Sequence, residues 1–212
     1  MGAACRYVIG VDFDNTLVSY DALLQSLARQ RGWLPDGTNP SKKEIRDFIR
    51  RLPEGEQQWQ RLQAVAYGPR IAEAQLADGV EEFFECCKRR PAKVYIVSHK
   101  TEFANYDESG TNLRTAALAW MADHRFFAPD GFGLTPEAVY FGATRQEKLA
   151  HIEALGCTHF IDDLEETFLE DRFPRGVEKI LYAPQRPGDA PPGVRMAESW
   201  GQIVAYVFGA DV

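Results

Sequence analysis

Asp12 and Asp14 stand one residue apart, directly after the apolar run Tyr7-Val8-Ile9-Gly10-Val11. That run has the length and composition of a short buried strand. Strand side chains alternate faces, so the spacing predicts both acids on one side and Phe13 on the other. Asn15 and Thr16 add an amide and a hydroxyl at the same strand end. Acids crowded in this way repel each other and pay for lost hydration, and a bound cation offsets both costs. Three chemistries compete for the segment: an Asp/Asn-rich turn, a calcium loop, and an acid pair that holds magnesium and attacks phosphorus. The calcium loop fails on residue type, because its sixth position calls for Gly and holds Leu17.

Further capable residues recur after other apolar runs. Ser98, His99 and Lys100 follow Val94-Tyr95-Ile96-Val97, and Asp162-Asp163 follow Phe160-Ile161. Ser98 can hydrogen-bond a phosphate oxygen, although a serine there also serves as a turn or cap residue. The Asp162-Asp163 pair can hold magnesium, which takes oxygen ligands, or cap a helix. Lys148 lies in the first turns of the helix predicted at 144–155, where a cation would neutralise acids and phosphate. Arg145, one turn earlier, and Lys100 compete for that role.

The elements that must position these residues alternate in kind. Strands are predicted at 7–11, 94–97, 138–141, 158–161 and 177–182. Helices are predicted at 20–31, 41–52, 54–67, 78–90, 112–121, 144–155 and from about Ser199. Ser41-Lys42-Lys43-Glu44 fits a capping box, and Asp78 is the expected cap of the 78–90 helix. Loops are expected at 35–40 and 184–193, from their Pro and Gly content. The alternation implies an α/β fold, a Rossmann-like parallel sheet with helices on both faces. Ligands in such sheets bind beyond the carboxyl ends of the strands, where the candidate residues fall. Residues 19–77 show no clear strand and read as a small helical insert in a core made of 1–18 and 78–212.

A chain of 212 residues can bury one good core with a small appended subdomain. Its net charge of −7 argues against sequence-blind binding to nucleic acid or anionic membranes. No run approaches the ~20 apolar residues of a membrane span. The first residues lack the pattern of a secretory signal. Cys5, Cys86, Cys87 and Cys157 show neither metal spacing nor a disulfide framework, and core packing explains the adjacent pair. His99, His124, His151 and His159 form no ligand pair. A cytoplasmic, reduced setting is expected.

Taken in order, Asp12-Phe13-Asp14-Asn15-Thr16, Ser98, Lys148 and Asp162-Asp163 resemble the four motifs of the haloacid dehalogenase superfamily, in its phosphatase branch. Residues 19–77 resemble its helical cap. The resemblance implies a magnesium-dependent phosphomonoester hydrolase acting on a small phosphorylated metabolite. Asp12 would be the nucleophile that forms an aspartyl-phosphate, and Asp14 the general acid and base. Magnesium would sit on Asp12, Asp14 (through its backbone carbonyl), Asp162 and Asp163. Asn15, Thr16, Ser98, His99 and Lys100 would face substrate, and Lys148 would hold Asp12 and phosphate together. Dehalogenases of the superfamily lack an acid at the position of Asp14, which favours phosphate chemistry. Leu164-Glu165-Glu166 after the aspartates departs from the usual Gly-Asp pattern, so either aspartate is a direct ligand and Glu166 a candidate helper. Phosphotransfer to a sugar and a catalytically idle binding module are the alternatives. In the insert, Trp33, Trp59 and Tyr67 are expected to pack together, with stacking on a substrate ring as the alternative. The basic series Lys42, Lys43, Arg46, Arg50 and Arg51 is expected to be a solvated helix face.

Overall fold

A computed structural model describes residues 6–35, 37–184 and 188–209. Cys5 and parts of the two expected loops, residues 36 and 185–187, lie outside them. The chain begins with β1 (Tyr7–Val11), β2 (Val18–Ser19), α1 (Asp21–Gln30), α2 (Lys42–Ile49) and α3 (Gly55–Tyr67). It continues with β3 (Gln75–Leu76), α4 (Val80–Arg89), β4 (Ala92–His99), α5 (Leu113–Asp123) and β5 (Val139–Gly142). Then follow α6 (Arg145–Ala154), β6 (His159–Asp162), α7 (Glu165–Phe168), β7 (Glu178–Tyr182), β8 (Val194–Ala197) and α8 (Trp200–Phe208).

Six strands form one parallel sheet in the order β5-β4-β1-β6-β7-β8. The central strand β1 is apolar on both faces, as a doubly covered strand must be. Val11 is in register with Ile96 of β4 and with Ile161 of β6, so β1 and β6 end within one residue of each other while β4 runs three residues further, to His99. Gly10 fits this position because a Cβ there would lie 2.6 Å from Phe160 Cδ2. The connection from β1 to β4 carries α4 and moves one way along the sheet, whereas that from β5 to β6 carries α6 and moves the other way. Right-handed crossovers therefore place α4 and α6 on opposite faces.

Each face has its own core. Beneath α6, Leu149 and Ile152 pack with Phe160, Phe168, Phe173 and Leu181. Around α4, Phe83 meets Trp200 at 4.9 Å between ring centroids, and Phe84 stacks on Phe132 at 4.4 Å. Fully burying such side chains contributes about 1.5–3 kcal/mol each, which makes these two layers the main source of cohesion.

The chain divides into two compact units. One comprises Met1–Leu17, Leu76–Lys100 and Arg125–Val212 and carries the six-stranded sheet. The other comprises Val18–Gln75 and Thr101–His124. Residues 101–124, which the sequence reading assigned to the core, thus group with the helical insert. The physical reason is α5: Trp120 is buried and its indole Nε1–H donates to Ala74 O at 3.0 Å. Within this second unit α1, α2 and α3 pack on one another, burying Leu24, Leu27, Ile45, Ile49, Trp59 and Leu62. Trp59 is a core residue here. The Ser41 capping box forms as its sequence predicts, with both reciprocal hydrogen bonds in place.

Several elements differ from expectation. Gly79, in the left-handed region at φ +87°, precedes α4 in place of the expected cap Asp78. β4 extends through Ser98 and His99, which the sequence reading placed after the strand. β2 and β3 pair as a two-residue ribbon, too short for any alternation to be read. β8 follows β7, which was expected to be the last strand; its four residues come straight out of a Pro/Gly-rich loop that masks them. The four-residue α7 was also unforeseen.

Candidate active site

Buried polar side chains come from the carboxyl ends of β1, β4 and β6, from α6 and from α7. Among the described residues these are Asp12, Thr16, Ser98, Lys100, Lys148, Asp162 and Thr167. The backbone fixes the first of them directly, since Asp12 N–H donates to Ile161 O at 2.9 Å and so extends the β1–β6 ladder by one residue. Thr144 caps α6 through its side chain, and Lys148 follows in the next turn. A Cβ on Gly142 would lie 2.8 Å from Lys148 N, so glycine lets the start of α6 settle against the end of β5.

Lys148 Nζ lies 2.6 Å from Asp12 Oδ1 and 2.6 Å from Asp162 Oδ2. Both carboxylates and the ammonium are buried. Asp162 spends its other oxygen on Leu164 N–H, at 3.0 Å, which turns the chain sharply after β6. Asp163 is half-buried, and one carboxylate oxygen from each of Asp12, Asp162 and Asp163 lies within 4.8 Å of the others. Glu166 is not part of this group. Arg145, the alternative cation, is committed to Glu170 at 2.8 Å, so Lys148 is the cation of the cluster.

Lys100 holds the other acid. Its Nζ lies 2.8 Å and 3.0 Å from the two oxygens of Asp14. Strand alternation placed Asp12 and Asp14 on one side, and the two acids do feel each other electrostatically. They nevertheless pair with different lysines. β1 stops at Val11, and the chain then turns, with Asn15 in the left-handed region at φ +60°. The lysine at 100 was a signal in the sequence, but its ion pair with Asp14 could not be read from spacing.

Electrostatics are tense in this cluster. Burial pushes the Asp12 carboxyl up to about 7, with Lys148 opposing the rise and Asp162 and Asp14 adding to it. Burial alone would depress the Lys148 ammonium, but the facing Asp12 and Asp162 outweigh it and hold the group above the usual lysine range. Asp12, Asp14, Asp162 and Asp163 set four carboxylates against the two ammonium groups of Lys100 and Lys148. A divalent cation matches that excess, and the all-oxygen donor set suits magnesium.

The hydroxyls of Thr16 and Ser98 are buried, and among the described residues neither has a hydrogen-bond partner. Buried hydroxyls are normally satisfied, so two orphans beside one acid cluster mark a place for an oxygen-rich ligand. His99 is not drawn into the cluster: it is exposed, and its Nε2 lies 3.1 Å from Ala143 O. Asn15 sits in the turn, half-buried. Cys86, Cys87 and Cys157 are free and buried, and burial pushes the Cys87 and Cys157 thiols up to about 12 and about 11, which keeps them protonated and inert. Among the described residues no helix is long and apolar enough to cross a membrane.

No protein-family model and no curated protein sequence matches the chain. Solved structures do. A haloacid dehalogenase-like hydrolase of Streptococcus pneumoniae matches with a TM-score of 0.57 at 18% identity, over 94% of this chain and 97% of its own. The HAD hydrolase YfnB of Bacillus subtilis, in a magnesium-bound form, matches at 0.56 with 11% identity, over 95% and 98%. A HAD-family hydrolase of Deinococcus radiodurans with bound phosphate and sodium matches at 0.52 with 14% identity, over 96% of each chain. The chain therefore has the fold of the haloacid dehalogenase superfamily hydrolases.

Proposed function

We propose that this protein is a magnesium-dependent phosphatase that removes phosphate from a small phosphorylated metabolite. The observation that carries the reading is the buried Asp12–Lys148–Asp162 array, completed by Asp163. Burying three charges costs several kcal/mol per ion before pairing, and three apolar side chains would fill the space more cheaply. Such an arrangement is expected where the charges act. The magnesium and the phosphate held by two neighbours of the same fold support the same assignment.

Asp12 is the nucleophile. One of its carboxylate oxygens bonds to phosphorus as the ester oxygen departs, which leaves an aspartyl-phosphate. Asp14 gives the departing oxygen a proton and then, as a carboxylate, takes one from the water that attacks phosphorus. That second displacement releases inorganic phosphate and restores Asp12. Thr16 and Ser98 donate to phosphoryl oxygens with the hydroxyls that otherwise lack partners. Lys148 holds Asp12 in line and balances charge on the transferring group. Asp12, Asp162 and Asp163 would hold the magnesium, joined by the Asp14 backbone carbonyl as the family resemblance implies. Bound there, it would screen the phosphate so that an anionic nucleophile can approach. The free, protonated thiols agree with a reducing, cytoplasmic setting.

The test is phosphate release from a panel of phosphorylated metabolites, with magnesium and with chelator. Magnesium-dependent release that disappears in Asp12→Asn is the expected result. Isomerised sugar phosphate without free phosphate would transfer the reading to a mutase, and silence across the panel would overturn it.

A further inference from the structure

Lys100 is nearly as buried as Lys148, yet the mechanism above gives it no task. Its backbone N–H donates to Gly142 O at 2.9 Å, so the base of the side chain is fixed to the sheet where β4 ends. Its ammonium lies 5.5 Å from the centre of the Phe13 ring and bridges both oxygens of Asp14. Asp14 itself is less enclosed: its side chain keeps 16% of its surface exposed, against 2% for Lys100. One side of the carboxylate is therefore gripped and another is open.

Asp14 also lies beyond the last residue of β1, in a turn that includes the left-handed Asn15. A carboxylate in a turn has rotamers to choose from, and proton transfer to a leaving oxygen tolerates few of them. An apolar residue at 100 would pack the site without the cost of burying a charge. From this geometry we infer that Lys100 is a positioning residue: it holds Asp14 in the orientation from which its exposed edge can pass a proton to the leaving-group oxygen. The inference rests on the phosphatase reading and extends it, because it assigns Lys100 to the acid and removes it from the residues that bind substrate.

The experiment compares kcat and KM for p-nitrophenyl phosphate, whose leaving group needs little help from a proton, with those for an alkyl phosphate, whose leaving group needs much. Lys100→Met should cut kcat on the alkyl ester by about 100-fold, the scale of a misplaced catalytic group, and on the aryl ester by less than about tenfold, with KM nearly constant on both. Lys100→Arg should recover most of the alkyl activity. In an Asp14→Asn background, Lys100→Met should cost nothing further, because its effect runs through the acid. Equal losses on both esters, a rise in KM with kcat intact, or a fully additive double variant would each overturn the inference. Should Lys100→Met fail to fold, as judged by circular dichroism, Lys100→Gln carries the same comparison. Inactivity of the unaltered protein on both esters would instead count against the phosphatase reading itself.

Discussion

In the sheet-bearing unit, Asp12, Lys148 and Asp162 are withdrawn from water and meet at 2.6 Å, and the equally buried Lys100 holds Asp14 at 2.8 and 3.0 Å. In the helical unit, Arg50 and Glu56 approach just as closely, at 2.6 Å, but remain about half exposed. Among the described residues, the helical unit buries no charged side chain at all. Distance alone would rank these ion pairs together, and solvent separates them. A pair in water gains little and is easily replaced. A pair out of water is held by its partners, and removing one partner strands the other. Charge on the helices serves solubility and capping, whereas charge at the strand ends of the sheet is held out of water by its partners.

That contrast can be broken or sharpened by substitution. The largest effect should come from Asp12→Asn, which keeps the shape of the side chain and removes the proposed nucleophile: kcat for phosphate release should fall by about 10⁴-fold or more, with the fold intact by circular dichroism. Lys148→Met should cost about 3–5 kcal/mol of folding stability in urea titrations without magnesium, because Asp12 and Asp162 are left buried and unpaired. A loss below about 1 kcal/mol would mean the cluster is better solvated than its burial indicates. Ser41→Ala, which removes the cap of α2, should cost about 1 kcal/mol by the same titration. Arg50→Ala should leave the unfolding midpoint within experimental error, and a clear shift would erase the contrast between the two units.

Magnesium and pH address the same contrast. Asp12 sits at about 7 in the folded protein against an ordinary 3.8. An acid raised in this way favours the folded state while protonated, so its contribution to metal-free stability is full below about pH 4 and is lost as pH rises through 7. A bound cation reverses that penalty and competes with the proton. Added magnesium should therefore raise the melting temperature more at pH 8 than at pH 6, and equal gains at both would dissociate the metal from Asp12.

Much of this was legible in the sequence, for identifiable reasons. Five of the six strands of the main sheet were legible from their apolar residues, and the residues at the ends of three of them, β1, β4 and β6, are the ones that gather in space. The capping box at Ser41 reads directly, because its residues are neighbours in the chain. Lys148 could be named but not separated from Arg145, because that choice depends on Glu170, a partner 25 residues away. The Lys100–Asp14 pair spans 86 residues and leaves no local trace. Nor does the grouping of 101–124 with the helices, which depends on where one indole N–H finds a carbonyl. Local chemistry is written in the chain, whereas partner choice is written in the topology.

The central place of β1 has a consequence for how the molecule comes into being. Asp12 and Lys148 are 136 residues apart, and β1 must wait for both β4 and β6 before it is enclosed. During synthesis Asp12 is made 136 residues before Lys148 and stays without that partner until α6 has followed. Pairings this distant in sequence make folding slow and place the decisive closure late. A chain released before β6 would hold every residue of the first motif and none of its chemistry, so the assembled cluster is itself a record that translation reached Asp162.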